Sequence, residues 1–350
     1  MLPDALPLTL ILQLRLQVSI KKFNFLANFS SLNSWGAEGV PFVALVSFDG
    51  QLLAAPLSQA DWHAGQVDFP GERLHFRAYG AVQDDDAGMD SHGKPAFSIL
   101  ALPPRQSVIA AISALQSEMR AGHSYLVNYC SQTSVATHYS PAELFAAAKA
   151  PYTFWLEGQF LSFSPEPFVT VRGREISTTP MKGTGTDKAA LLANAKEQAE
   201  HATVVDLLRN DLGQVAGHVR VEDYRYVSEI LRGDGSVLYQ TSSRICGEMP
   251  ADWRSHIGDW LPRLLPAGSI SGAPKKETLE LIRRFEAEPR GFFTGVAVLF
   301  DGENLSSAVL IRFLDLVGDV LKFRSGAGIT IYSDPAQEYD EIVSKVYFPA

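Results

Sequence analysis

The chain has 350 residues, 46% hydrophobic and 20% charged, with 27 Gly, 20 Pro and 2 Cys, a globular balance that excludes collagen-like, disordered and disulfide-stapled classes. Its 30 Lys and Arg against 39 Asp and Glu give a formal charge of -9, the wrong sign for tracking a phosphate backbone, so no nucleic acid partner is expected. Cys130 and Cys246 are too few for a four-thiolate zinc site or a disulfide framework and fit a reducing compartment.

At the start, Leu8, Leu10, Leu12, Leu14, Leu16, Val18 and Ile20 recur with period two, which predicts a half-buried strand rather than a spanning helix. The early segment lacks the basic start of a signal peptide, and no stretch reaches 18 apolar residues. We therefore expect a cytoplasmic protein with no membrane partner. Strand signals follow over 42–48, with an Asp49-Gly50 turn into Gln51-Leu52-Leu53. Asp84, Asp85 and Asp86 mark an acidic loop. A helix is predicted from about 106 to Arg120, carrying Val108, Ile112 and Leu115 on one face and stopped by Gly122. A strand hairpin is expected over 124–137, then a helix from Pro141 through Lys149.

The second half predicts strands near 152–157, 160–163 and 167–178, then a loop Pro180-Met181-Lys182-Gly183-Thr184 and one long helical segment from Asp187 to about Asn210. Further strands are expected over 218–245. The turn Gly268-Ser269-Ile270-Ser271-Gly272 leads to a helix at Pro274, and strands near 293–300, 306–316 and 319–324 precede a loop at Gly326-Ala327-Gly328. The last helix starts at Pro335 behind Asp334 as N-cap. This is a mixed α/β chain with antiparallel character, lacking the regular alternation of a doubly wound fold.

Few segments carry chemistry on their own. The glycine-rich turn lacks both the P-loop ending and the dinucleotide fingerprint, and its centre is Ile270 where a nucleophile elbow needs serine. Glu200 shares a helix face with Val204 and Leu207, and a carboxylate buried there needs a partner, a metal or a proton. Glu338, Glu341 and Lys345 share one face of the last helix, which reads equally as a solvated face with an i,i+4 pair. Glu166 and Lys182 read as ordinary turn and surface residues.

The order of these segments changes that reading. Ser164-Pro165-Glu166, Pro180-Met181-Lys182-Gly183-Thr184, Ala199-Glu200-His201, Val205 through Gly213, Ala267 through Lys275, Ile311-Arg312, Ser325 through Ile329 and Glu338-Tyr339-Asp340-Glu341 together closely resemble the chorismate-utilising enzymes. The likeness spans roughly 105–348. Within that family, Lys182 resembles the Pro-Ile-Lys-Gly-Thr loop of the aminodeoxychorismate synthase component I branch, where anthranilate synthases carry alanine. Leu126 stands where isochorismate and salicylate synthases place a water-activating lysine. The alternatives are an anthranilate synthase component I and a non-catalytic chorismate-binding subunit.

The resemblance implies an α+β fold, two large antiparallel sheets in a sandwich flanked by helices. Residues 1–104 would supply a strand-rich part of the same fold and 105–350 the chorismate-binding catalytic region. It implies conversion of chorismate and ammonia to 4-amino-4-deoxychorismate, on the route to 4-aminobenzoate and folate. Glu166 would be the general acid and Lys182 the nucleophile. Glu200 and Glu341, with Glu338 through water, would hold Mg2+ against the ring carboxylate. Gly183, Thr184 and Lys345 would meet that carboxylate, and Arg312, Gly326 and Gly328 the enolpyruvyl carboxylate. Gln240 replaces a histidine that many relatives set beside the ring, and Val298 and Leu299 replace a Gly-Tyr pair. The sequence stops soon after the last motif, so ammonia is expected from a separate glutamine amidotransferase subunit.

Overall fold

The computed structural model describes residues 28–69, 71–78, 95–231 and 237–349; the strand read over 8–20 and the acidic loop at 84–86 lie outside them. Among the described residues the strands form two antiparallel sheets of nine. The first runs in the order Met181–Gly185, Val237–Glu248, Glu175–Thr178, Pro167–Arg172, Leu305–Val309, Val296–Phe300, Phe42–Val46, Leu52–Pro56, with Gly217–Leu231 also paired to Val237–Glu248. The second runs Gly272–Ala273, Leu126–Ala136, Leu321–Ile329, Phe313–Asp315, Phe160–Ser164, Tyr152–Leu156, Glu72–Ala78, Gln66–Phe69, with Ser98–Ala101 also paired to Leu126–Ala136.

Strands covered on both faces read as continuous apolar runs rather than alternating ones. Phe42–Val46 is such a strand, buried at every position. Its Val43 and Leu45, with Ala297, Leu299 and Ala308 of neighbouring strands, meet Leu74, Phe76, Phe154 and Phe160 of the second sheet in one inter-sheet core. Its Phe42, Ala44 and Val46 point the other way, into a core shared with Leu32, Trp253, Ile257 and Leu261 of the covering helices. On the outer face of the second sheet, Val127, Tyr129, Ala327 and Ile329 pack with Val108, Ile112 and Leu115 of helix Arg105–Arg120 and Ile342 of helix Pro335–Ser344. Each such Leu, Ile or Phe stabilises by roughly 1.5 to 3 kcal/mol on burial.

The predicted caps form where their chemistry demanded. Asp334 accepts the backbone N–H groups of Ala336 and Gln337, with Pro335 in the first helical turn, which satisfies two orphan donors of that helix. Elsewhere the elements divide differently from the sequence reading. The hairpin expected over 124–137 is one strand, Leu126–Ala136, because both its edges are taken by distant strands. The helical segment from Asp187 breaks at Asn194 into Lys188–Ala193 and Ala195–Leu212. The strand over 306–316 breaks at Arg312, whose φ is 50°. Lys182 lies on a strand, and Gly326 and Gly328 lie inside strand Leu321–Ile329 rather than in loops.

Two connections pass between the sheets and set up everything that follows. The chain leaves the second sheet after Ser164 and enters the first at Pro167; it leaves the first after Val309 and re-enters the second at Phe313. The crossings run side by side: Val309 N–H donates to the Glu166 carbonyl at 3.1 Å, the Ser162 hydroxyl to the Ile311 carbonyl at 2.9 Å, and Phe163 N–H to the Arg312 carbonyl at 3.1 Å. Glu166 and Arg312 therefore sit together where the sandwich opens.

Candidate active site

Glu166 is fixed at its crossing by its own backbone, whose N–H donates to the Ser164 hydroxyl at 3.1 Å. The carboxyl accepts the Ser269 hydroxyl at 2.6 Å. Burial pushes this carboxyl above the usual glutamate range, against the opposing pull of the Ser269 hydrogen bond and of the Lys182, Lys345 and Arg312 charges. Desolvation wins over three cations, which is the condition for a carboxylic acid to keep its proton towards neutral pH.

Lys182 comes from the opposite sheet. Its strand pairs irregularly with Val237–Glu248: Met181 faces Ser242 and Thr184 faces Gln240, with the register shifted between them. Gly183, at φ 83°, occupies the shift, where a residue with a Cβ is strained. Such a bulge re-aims the neighbouring side chain. The amine reaches the second sheet, where a Cβ on Gly328 would stand 3.6 Å from Nζ and 3.7 Å from Leu126 Cδ1. The Lys182 carbonyl is held by the Thr241 hydroxyl.

Lys345 closes the cleft at the end of helix Pro335–Ser344. Its Nζ donates to the Gly326 carbonyl at 2.6 Å and lies 2.7 Å from Glu341 Oε1. Gly326 has no room for a larger residue, since a Cβ would fall 2.6 Å from Cys130 Sγ and 2.7 Å from Asn128 Oδ1. Burial pushes the Cys130 thiol up to about 12, so it is a packed thiol rather than a nucleophile.

The structure thus sets Lys182, Arg312 and Lys345 around Glu166, with Gly328 against the Lys182 amine and the Gly326 carbonyl on Lys345, while Gly183 lies next to Lys182 on its strand and Thr184 faces Gln240 across the adjoining strand pair. The acidic residues are arranged more loosely. Glu200 is half-buried on helix Ala195–Leu212 rather than buried as its face suggested, Glu338 is buried, and the Glu341 side chain is 48% exposed. Among the described residues, the triad of possible metal ligands with atoms within 4.8 Å of one another is Glu175, Glu222 and Cys246. That triad is an ion-pair patch: Arg244 engages Glu175 at 2.7 Å and also Glu222, and Arg220 lies 3.1 Å from Glu222. The donor set Glu200, Glu338 and Glu341 is nevertheless all carboxylate oxygen, which fits Mg2+ completing its shell with water and a substrate oxygen.

Two residues near the site, Ser269 and Glu197, were given no role by the sequence reading. Ser269 lies in the turn dismissed as an elbow, and that turn is rigidly held: Arg290 donates to the Ile270 carbonyl at 2.8 Å and to the Asn128 carbonyl at 2.6 Å, and pairs with Glu286 at 2.6 Å in full burial. Glu197 brings a carboxylate oxygen to 3.0 Å from the Cβ position of Gly183; its i,i+3 spacing to Glu200 was the available signal. His201 is packed, with Nε2 2.6 Å from the Ser243 hydroxyl.

Fold and site together define a two-sheet α+β protein whose cleft sets one protonatable acid among three cations, a surface suited to a small molecule with more than one carboxylate. Residues 77–350 match the family model described as chorismate binding enzyme. The chain is 39% identical over 323 residues to an uncharacterized PabA-like protein of Haemophilus influenzae, covering 91% of this chain and 94% of that one. It is 34% identical over 253 residues to aminodeoxychorismate synthase component 1 of Klebsiella aerogenes, covering 66% of this chain and 54% of that protein. The menaquinone-specific isochorismate synthase of Escherichia coli shares the fold, with a TM-score of 0.65 at 20% identity over 90% of this chain and 79% of that one. The chain belongs to the chorismate-binding enzyme family.

Proposed function

We propose that this protein is the chorismate-converting component of an aminodeoxychorismate synthase, making 4-amino-4-deoxychorismate from chorismate and ammonia on the route to 4-aminobenzoate and folate. The observation that carries the reading is the Lys182 amine, presented across the cleft beside Gly328 and Leu126. A leucine there cannot activate water, whereas an amine opposite it can add to the ring. Ammonia is supplied in this reading by a separate glutamine amidotransferase subunit, since the Cys130 thiol is buried and protonated. Among the described residues no helix is long and apolar enough to cross a membrane, and we place the reaction in the cytoplasm.

In this mechanism Glu166 protonates the departing C4 hydroxyl, which leaves as water, while the Lys182 amine, after giving its own proton to solvent, adds at C2. Ammonia then attacks C4, and the C2–N bond to Lys182 breaks. Lys345 and the Gly183–Thr184 backbone meet the ring carboxylate, and Arg312 meets the enolpyruvyl carboxylate. Glu200, Glu341 and Glu338 would hold Mg2+, which neutralises the ring carboxylate when bound. The test is incubation of the purified protein with chorismate, Mg2+ and ammonium, resolving products by mass and retention. Aminodeoxychorismate supports the proposal; directly fluorescent anthranilate, or unchanged chorismate, overturns it.

A further inference from the structure

Residues 346–349, which follow helix Pro335–Ser344, bear on the cleft. Val346 and Phe348 pack into a core with Phe163 and Phe323, the Phe348 ring meeting Phe163 edge-on at 5.2 Å between centroids. Lys149 N–H donates to the Pro349 carbonyl at 2.9 Å. Between these two anchored residues, Tyr347 points outward with 48% of its surface exposed. Its ring lies against the guanidinium of Arg312, 4.9 Å from Cζ to ring centroid.

Arg312 is held in an unusual state. Its φ of 50° is a left-handed conformation that non-glycine residues adopt mainly where surroundings enforce it. Its Nε–H is buried and finds no acceptor among the described residues, and its charge bears on Glu166. A buried, unpaired donor on a cation is an unmet demand for an anion.

We infer that Tyr347 is a positioning residue: its ring covers one face of the Arg312 guanidinium, so that the arginine presents its N–H edge to a substrate carboxylate. The inference builds on the chorismate reading and adds a residue that holds the carboxylate-binding arginine in place. Stacking covers the face of the ion, where no hydrogen bond can form, and leaves all N–H directions in the plane.

Chorismate binding in the presence of Mg2+ and without ammonia, measured by titration calorimetry on the whole chain, tests it. Y347A should weaken binding about three- to thirtyfold, the span of one cation–π contact. Its melting temperature should be unchanged, and in turnover KM should rise with kcat nearly constant. Y347F keeps the ring and should bind as the wild type does. On an R312Q background, Y347A should cost nothing further. Wild-type affinity in Y347A, or a loss in Y347A that persists in full on the R312Q background, overturns the inference while leaving the chorismate reading intact. Absence of chorismate binding by the wild-type chain overturns that reading and this inference with it.

Discussion

Gly328 leaves open the space over which the Lys182 amine stands, with 3.6 Å between Nζ and the position a Cβ would take. Gly326, two residues earlier on the same strand face, is different: a Cβ there would meet Cys130 Sγ at 2.6 Å and the Tyr129 carbonyl at 2.9 Å. G326A should therefore cost about 1 to 3 kcal/mol of stability, as overpacked sites do. G328A should fold with a melting temperature close to that of the wild type and lose most turnover, because its methyl group enters the space between the amine and the substrate. Thermal denaturation and kcat/KM of the two variants separate these effects. A G328A enzyme with wild-type turnover would remove Lys182 from the reacting centre.

The pairing of Glu166 with Ser269 makes a prediction about pH. Burial raises the Glu166 carboxyl, and the Ser269 hydrogen bond restrains that rise. A carboxyl raised on folding binds its proton more tightly in the folded state, so its contribution to stability is fully present below the ordinary value of about 4.3 and is lost as pH climbs through the folded value. E166Q should accordingly melt higher than the wild type near neutral pH, with the difference vanishing below about pH 4. S269A should move the basic limb of kcat/KM to higher pH. A downward shift, or none, would mean that Glu166 is not the acid reporting in that limb.

Much of this architecture was legible in the sequence because the strands have unmistakable apolar runs and the helices have stated caps. Phe42–Val46 and Pro335–Ser344 appear where predicted. What stayed hidden depends on pairings distant in sequence. Nothing local says that Arg290 and Glu286 close a buried ion pair beneath Ser269, because an i,i+4 pair reads as a solvated face. Nothing local splits the strand at Arg312 either, since its φ of 50° is imposed by the crossing between sheets. The candidate site residues were readable only as an ordered set of motifs: taken singly, Lys182 reads as a surface lysine.

If Lys182 is the nucleophile, the enzyme can be caught in the act. Incubated with chorismate and Mg2+ but no ammonia, part of the protein should become heavier by the mass of chorismate less one water, and the adduct should map to the peptide containing Lys182. K182A should show no adduct and no aminodeoxychorismate. Intact mass spectrometry of both proteins under several quenching conditions is the measurement. An unmodified wild-type chain throughout would leave the lysine an electrostatic role only.

The acidic residues give the sharpest contest between a structural and a catalytic role. Glu341 and Lys345 form an i,i+4 pair at 2.7 Å with side chains 48% and 29% exposed, and pairs this exposed contribute only about 0.3 to 0.5 kcal/mol. On that ground alone E341Q should be silent. If Glu341 and Glu200 instead grip Mg2+ above the ring carboxylate, each Glu→Gln change removes one anionic oxygen from a cation that favours hard ligands, and turnover should fall by at least tenfold. Stability should change by less than about 1 kcal/mol, because Glu200 is half-buried and the Glu341 side chain is 48% exposed. Mg2+ titrations of activity, with melting curves in Mg2+ and in chelator, decide between the two. Metal-dependent stabilisation should be present in the wild type and weakened in both E200Q and E341Q. Near wild-type turnover in the two variants would return this helix face to ordinary solvation and leave the chemistry to Glu166, Lys182, Arg312 and Lys345.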